Sequence, residues 1–574
     1  MLDLLRGTPT GDALRFLSHR RFPRYREDDA DFPLSRVFPA AKDEAKQQGV
    51  FDFTPPRSEP VDPLASPPCD LEANTYPPSP ATTLCETSSN AVILVEWYSA
   101  DDAENPLNWS LRKKLWTSAC ISSATVSIYM GGATITAAFQ SLTEEFGLEH
   151  QVVVLGMSLY IFFYGAGALL FSPLSELPQV GRNPPYYLPM ALALLIQLAG
   201  ALSPTYPGVL ISRALVGLLG APLLATGGAS LCDVWGIRRL PVVLNWCWVF
   251  PSFCAPGFAP ILTASAVNLF GWRWSFWIQL FWMAAALILL LLSPETAADN
   301  ILYRRAVRLR RLTGNAAYKA AAEIASQHTS TTDLLYEALA VPFKITLLDP
   351  SILFCNCYIG LCYGLFFTFF DAFPIVFTEI FSFGAYTQHL PYLCAVVGGF
   401  ISAVFYTLYQ KLYMMPLVER EGMPVVERRL EPALVSSVGA PIGLFIFAWS
   451  SFAHLHWIGP VIGASLFVAS NLITFQCLFY YVILAYERYA ASALAANDFV
   501  RSAIAAFLLH AATPLFRSPL GVHGGVTLVG GVACLGIVGV WVLYLFGHRL
   551  RARSRFTPPV ALDAGEKAGA ASQA

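Results

Sequence analysis

One arginine, Arg213, stands inside a stretch apolar enough to cross a bilayer, YPGVLISRALVGLLGAPLLATGGASLCDVWGIRRLP over residues 206–241. A charge costs several kcal/mol in hydrocarbon and is normally turned toward a cavity or partner, which makes Arg213 a candidate for function. Arg213, Gly217, Gly220, Leu224 and Gly228 recur at helical spacing, so the guanidinium shares a face with residues small enough to admit a second helix. The competing reading is snorkelling: Arg213 lies about seven residues from the outer end, roughly 10 Å deep, and its stem recovers part of that depth. Asp371, in FFTFFDAFPIVF, is the second such charge. A carboxyl among phenylalanines and near a cation suits proton exchange; a carboxylate wetted at the outer end of its span is the equal alternative.

Further polar groups lie in the apolar runs. Ser118, Ser122, Thr125, Ser127, Tyr129, Thr134 and Thr136 would make a water-lined wall, or each hydroxyl bonds the carbonyl four residues back. Asn245, Trp246, Asn471, Gln476 and Asn497 are candidates for a cavity that meets substrate, with interhelical hydrogen bonding as the plainer role. Asp498 and Arg501, three apart, can neutralise one another, and a lone span histidine such as His510 is more often a hydrogen-bonded packing residue. Pro256 and Pro260 in PSFCAPGFAPILTA bend a helix and free carbonyls, as a moving gate requires.

Such residues need a membrane to be positioned in. The 574 residues are 55% hydrophobic and only 13% charged, with net charge −2 and mean hydropathy +0.51. A soluble chain of that length needs a more charged surface, so lipid is the solvent for most of it. The near-neutral balance offers no basic domain for nucleic acid. Most cysteines lie inside apolar runs as small hydrophobes and form no disulfide ladder. Cys355 and Cys357 point to different helix faces with no histidine nearby, so neither a metal site nor a cofactor is expected. Histidine boxes, HExxH and phosphate-cradling loops are missing, which argues against an enzyme.

Twelve apolar windows are expected at 115–138, 152–171, 186–205, 206–232, 240–266, 274–293, 351–378, 389–410, 433–453, 457–485, 489–516 and 525–547. Continuous apolarity excludes a closed barrel. The sequence therefore predicts an all-α polytopic membrane protein. Its parts are a cytoplasmic, largely disordered tail over 1–110, a six-helix bundle over 111–293, a cytoplasmic loop over 294–348, a second six-helix bundle over 349–548 and a cytoplasmic tail over 549–574. PPRSEPVDPLASPP and TYPPSP in the first tail suit neither helix nor strand. Nothing near Met1 reads as a secretory signal, leaving targeting to the first span. LDLLRGTPTGDALRFLSHRRF has the residues for a short amphipathic turn at a membrane surface, but its Gly and Pro count against one.

Lysine and arginine fix orientation. With both termini inside, Arg182, Arg238, Arg239, the cluster Arg304, Arg305, Arg308, Arg310 and Arg311, then Lys411, Arg420, Arg428, Arg429, Arg488, Arg549, Arg551, Arg553 and Arg555 all fall on the cytoplasmic side. Arg273 and Arg517 are nearly all that remains outside. Trp109, Trp116, Trp272, Trp274 and Trp457 sit near span ends, as in an aromatic belt.

From about Glu104 to Arg551 the chain resembles the major facilitator superfamily, and within it the fungal twelve-span drug:proton antiporters that include multidrug and polyamine exporters. The resemblance rests on ENPLNWS, FSPLSELPQVGRNPPY, SRALVGLLGAP, LATGGASLCDVW, GWRWSFW and SPETAADNILYRRAVRLRRLTGN, and in the second half on DAFPIVF, VERRLEPAL, PIGLFIFAW and YAASALAANDFVRS. Ala255-Pro256 and Ala259-Pro260 stand where the family's fifth span has Gly-Pro pairs, and Asp371 stands near a family glutamate. The resemblance implies the major facilitator fold of two six-helix bundles, with spans one, four, seven and ten around a central cavity. It implies that Glu176, Arg182 and Asp233 lock the cytoplasmic gate and that Arg213 is tied to proton coupling.

The expected function is secondary active transport: protonation of Asp371 from outside frees it from cations such as Arg213, and the halves rock to export a small organic molecule. Expected partners are substrate, protons and the lipid bilayer, for a monomer in the plasma membrane or, alternatively, the vacuolar membrane. A proton symporter or facilitator importing a nutrient is the rival on the same fold, and a non-transporting sensor the rival from another class.

Overall fold

The computed structural model describes residues 6–18, 25, 27, 84–87, 90–236, 238–326, 331–421, 425–486 and 490–554. Arg488, Arg555 and the two proline-rich stretches of the tail lie outside the described residues.

Each apolar run becomes a helix because hydrocarbon offers backbone groups no other partner. Among the described residues ten helices are long and apolar enough to cross a membrane. Leu111–Ala133, rich in hydroxyls, and the shorter Asn183–Ala201 complete two bundles of six. The first bundle holds spans 1 (Leu111–Ala133), 2 (His150–Leu174), 3 (Asn183–Ala201), 4 (Tyr206–Val234), 5 (Leu240–Phe270) and 6 (Arg273–Leu291). The second holds spans 7 (Pro350–Ile380), 8 (Thr387–Glu421), 9 (Val426–Ser450), 10 (Ile458–Ala485), 11 (Ala490–Phe516) and 12 (Gly521–Arg553). Local chemistry sets several ends. Ser110 caps span 1 by accepting from Lys113 N–H, and Asp349 caps span 7 ahead of Pro350.

Span 2 packs on span 4 and span 7 on span 11, while the two halves meet along spans 2 and 11 and along spans 5 and 8. Both seams depend on a glycine. A Cβ on Gly165 would collide with Ser502, and one on Gly257 would come 2.5 Å from the Ala395 Cβ. Span 5 stays α-helical through Pro256 and Pro260; its irregular winding comes earlier, over Asn245–Val249, as a wide turn. Span 7 loosens in the same way just after Asp371, over Pro374–Ile380.

The tail departs from the expectation of disorder at the residues described. Strand β1 (Leu84–Thr87) pairs antiparallel with β2 (Asn90–Val95), and β2 pairs in parallel with β3 (Tyr318–Ala320) of the central loop. The alternation in AVILVEW supplies the reason: Ile93 and Val95 bury against Ala306, Leu309, Tyr318 and Ala320. The N-terminal segment also folds, as a helix over Pro9–Leu17 with Pro9 in its first turn and the Thr8 side chain accepting from Gly11 N–H. Its breakers are therefore start signals, and the sequence argument against a helix there was mistaken. Thr10 Oγ1 donates to Leu291 O at the end of span 6.

Electrostatics fasten this cap. Arg305, fully buried on the loop helix Ala298–Thr313, faces Asp102 at 2.8 Å, Glu104 at 3.2 Å and Glu27 at 3.6 Å. Arg308 meets Glu104 at 2.9 Å and Glu27 at 3.2 Å. Burial raises the pKa of Glu27 and Asp102, but Arg308 beside the first and Arg305 bonded to the second hold both below their ordinary values. Folded values below unfolded ones mean that this stabilisation is complete above the ordinary carboxylate range and is lost only as pH falls through the lowered values. Arg305→Ala leaves buried carboxylates short of a cation, at a cost of roughly 3–5 kcal/mol. Hydrogen exchange should then show the amides of Ile93 to Val95 losing protection at neutral pH, whereas in the unaltered chain they keep it down to about pH 5.

Candidate functional site

Arg213 is 1% exposed. Its Nε donates to Gly156 O on span 2 at 3.0 Å, and Nη2 donates to Gly131 O at 2.6 Å and Gly132 O at 3.2 Å. Those two glycines end span 1, where helical carbonyls lack intrahelical donors and the helix dipole is negative. The guanidinium also stacks 4.3 Å from the centre of the Tyr160 ring. Arg213 therefore ties spans 1, 2 and 4 of one bundle together. Gly217 and Gly220 on the same face admit the Tyr160 backbone and the Ile128 side chain.

Asp371, 4% exposed, is held by other groups. It accepts from Thr513 Oγ1 on span 11, and His150 Nε2 at the start of span 2 lies 3.1 Å from Oδ1. His150, rather than Arg213, is thus the basic side chain against the carboxylate. The His150 side chain is 43% exposed while that of Asp371 is 3% exposed, so the imidazole lies between carboxyl and solvent. One turn along span 11, His510 Nε2 contacts Ser158 Oγ at 2.7 Å and His510 Nδ1 contacts Gln151 Oε1 at 3.3 Å. Two histidines and a carboxylate therefore close the seam between the halves at the end where span 2 begins, the end expected outside.

At mid-depth Arg501 pairs with Asp498 at 2.9 Å, as their spacing predicts, and also donates to Tyr129 Oη of the opposite half at 2.9 Å. Tyr164 and Tyr363 share a 2.6 Å hydrogen bond across the same seam. Beside them Gly257, Phe366, Phe369, Phe370, Phe373 and Tyr392 line a cavity of about 10 Å³. The halves thus touch above and below a nearly filled aromatic centre.

The polar residues expected in a cavity instead bridge helices. Asn245 Nδ2 donates to Ala403 O at 2.9 Å and Trp246 Nε1 to Thr407 Oγ1 at 2.9 Å, joining spans 5 and 8. Gln476 reaches Pro241 O at 3.3 Å, also between halves. Asn471 donates to Cys362 O and Asn497 to Asn356 Oδ1, both inside the second bundle. Closure at the end of the seam where the chain enters span 1 is completed by the Arg238–Glu419 pair and by Trp248 on Phe479, with ring centres 5.1 Å apart.

Glu176, Arg182 and Asp233 do come together. Arg182 Nε lies 3.3 Å from Asp233 Oδ2, and the Glu176 carboxylate acts on Arg182 from the same loop. Burial lowers the pKa of Arg182, but Asp233 foremost, with Tyr186 and Glu176, outweighs it and the net shift is upward. Glu295, unremarked in the sequence, accepts from Arg182 N–H and Asn183 N–H and fixes the loop to the end of span 6. His150, Thr513 and Glu295 were missed because each lies at the edge of an apolar run, where a polar residue is ordinary.

Comparison with known proteins now has a geometry to meet. The family model described as Major Facilitator Superfamily matches residues 121–509. The chain belongs to the major facilitator superfamily. It is a membrane transporter and not an enzyme, and its two bundles of six are the superfamily's fold. It is 41% identical over 473 residues to "MFS-type transporter pyvG" of Aspergillus violaceofuscus, covering 82% of this chain and 86% of that one. It is 30% identical over 458 residues to "Probable drug/proton antiporter YHK8" of Saccharomyces cerevisiae, covering 80% and 88%. Among solved structures, the proton:xylose symporter XylE shares the fold at 14% identity with TM-score 0.53, over 76% of this chain and 96% of that one.

Within this superfamily member Arg213 should behave first as a structural clamp. Arg213→Ala removes the charged donor that joins the Gly131, Gly132 and Gly156 carbonyls of two spans and should cost roughly 2–3 kcal/mol, read as a lowered Tm in detergent. Arg213→Lys, with one point charge in place of a planar fork, should recover only part of it.

Proposed function

We propose that the chain is a proton-coupled antiporter that exports small organic molecules by alternating access, as a monomer in the plasma membrane with both termini in the cytoplasm. The observation that carries this reading is the Asp371–His150–Thr513 contact, a titratable lock across the outer end of the halves. A relative named as a drug/proton antiporter supports both the coupling and the direction.

A proton arriving from outside meets His150 and passes to Asp371. The protonated carboxyl keeps a hydrogen bond to Thr513 but loses its charge, and the outer ends separate. The cavity then faces outward and substrate leaves. The return to the inward-facing form delivers the proton to the cytoplasmic side, and the recharged Asp371 again holds the outer seam closed with His150 and Thr513. At the other end, the contacts of spans 5 and 8 part as the inward-facing form opens, while the Arg182–Asp233 pair, inside the first bundle, braces the loop between spans 2 and 3.

Substrate is expected between the halves, where Phe366, Phe370, Tyr363 and Phe253 offer ring faces beside the neutralised Asp498–Arg501 pair. That lining suits apolar or cationic organic molecules through stacking and cation–π attraction.

The test is efflux of fluorescent drugs, azoles and polyamines from cells carrying the chain, with the proton gradient intact and then collapsed. Asp371→Asn, at unchanged surface expression, should reduce gradient-driven export at least roughly a hundredfold if it removes an acid–base group. Retained pH-driven export in that variant removes Asp371 from the coupling. Gradient-driven uptake in place of efflux favours the importer.

A further inference from the structure

Two N–H donors on the seam have no acceptor among the described residues, Nε1 of Trp248 on span 5 and Nε of Arg501 on span 11. Trp248 is 2% exposed and Arg501 1%, so solvent does not answer them either. A buried donor left unmet is costly, and an acceptor atom brought between the halves would relieve it.

One column of rings joins the two donors. Trp248 faces Phe479 of the other half, Phe479 stacks on Phe475 with ring centres 5.7 Å apart, and the Arg501 guanidinium lies 5.5 Å from the centre of the Phe475 ring. Phe253 of span 5 meets Phe475 edge-on at 5.4 Å from the first bundle's side. In the closed form these rings cover one another. When the halves part they present free faces, with an N–H at each end of the column.

Span 4 leaves room at the first donor. A Cβ placed on Gly227 would stand 3.4 Å from Trp248 Nε1, Thr125 Oγ1 and Ile121 Cγ2 alike. The glycine therefore leaves a notch the size of one methyl group, walled by the unmet N–H and a hydroxyl.

Charge narrows the ligand. Asp498 is paired with Arg501, and Asp371 is held by His150 and Thr513. A polyamine would have to break those contacts to reach either carboxylate, and an anion would compete with Asp498 for the guanidinium. Flat rings between two N–H donors suit instead a neutral, planar aromatic molecule with an acceptor atom near each end.

We propose that Trp248, the notch at Gly227 and Arg501 form a subsite for neutral, flat, acceptor-bearing aromatic molecules in preference to polyamines. The inference rests on the reading above that substrate binds between the halves, and it narrows the class which that site takes.

The full chain in nanodiscs, with no proton gradient, is titrated with three probes and binding is read by calorimetry. The probes are 7-methoxycoumarin, with acceptor oxygens at both ends of two fused rings, 2-methoxynaphthalene, which lacks the carbonyl, and spermidine. The coumarin should bind roughly fivefold more tightly than the naphthalene, as one hydrogen bond allows, and more tightly than spermidine. Trp248→Phe, which keeps a ring and deletes the N–H, should weaken coumarin binding roughly fivefold and leave the naphthalene unchanged. Gly227→Ala, whose methyl fills the notch at ordinary contact distance, should weaken the coumarin similarly without lowering Tm. No binding of the coumarin, binding no tighter than that of the naphthalene or spermidine, or binding that Trp248→Phe leaves unchanged overturns the inference. Efflux of the same coumarin from cells, with the proton gradient intact and then collapsed, is scored separately. Binding with this selectivity but no gradient-driven efflux sinks the antiporter reading and keeps the subsite, whereas gradient-driven efflux of spermidine in preference to the coumarin does the reverse.

Discussion

Hydrocarbon supplies no hydrogen bonds, so every polar group carried into the bilayer must find its partner inside the protein. Within each bundle these partners are fixed. Arg213 holds the last carbonyls of span 1, Gln279 Nε2 donates to Ser127 O between spans 6 and 1, and Ser436 bonds Thr474 between spans 9 and 10. Between the bundles the polar contacts gather at the ends of the seam and at the Tyr129–Arg501 and Tyr164–Tyr363 bridges. Each bundle is thus locked internally while the seam is held by contacts that can be exchanged. That division is what a rocking transporter requires.

The seam is also shaped to part. Gly165 and Gly257 bring backbones together without interlocked side chains, and the centre is filled by aromatic rings that can slide or turn. The wide turns at Asn245–Val249, Pro374–Ile380 and Gln410–Met414 fall on spans 5, 7 and 8, all of which reach the seam or its outer lock. Their looser hydrogen bonding places compliance where the halves have to move. The prolines of span 5 do not interrupt its helix; the Ser252 and Thr263 hydroxyls bond back to Trp248 O and Ala259 O four residues earlier.

The sequence made the twelve apolar windows legible because membrane thickness sets one length for all of them. It also showed the small-residue face of span 4 and the Asp498–Arg501 pair, since both are local in sequence. Partners far apart in the chain were not legible. Tyr129 and Arg501 are 372 residues apart, His150 and Asp371 are 221 apart, and neither spacing carries a local pattern. The Asn and Gln side chains were assigned to a cavity because polarity alone cannot tell a water-facing group from one bonded to the next helix. The tail misled by composition: its proline-rich middle overshadowed the short alternation that makes β2, whose parallel partner β3 lies more than two hundred residues on.

The structure holds this end of the seam closed through the contact of His150 and Thr513 with Asp371, and in the proposed cycle protonation of that carboxyl switches it between closed and open. Spin labels at Glu149, on the outer end of span 2, and Thr378, on the outer end of span 7, would report the separation directly by pulsed electron resonance. The account expects two distances whose ratio shifts toward the longer as external pH falls, and a single long distance at every pH in Asp371→Asn. A distribution that ignores pH in the unaltered chain, or one that still responds to pH in Asp371→Asn, would contradict it.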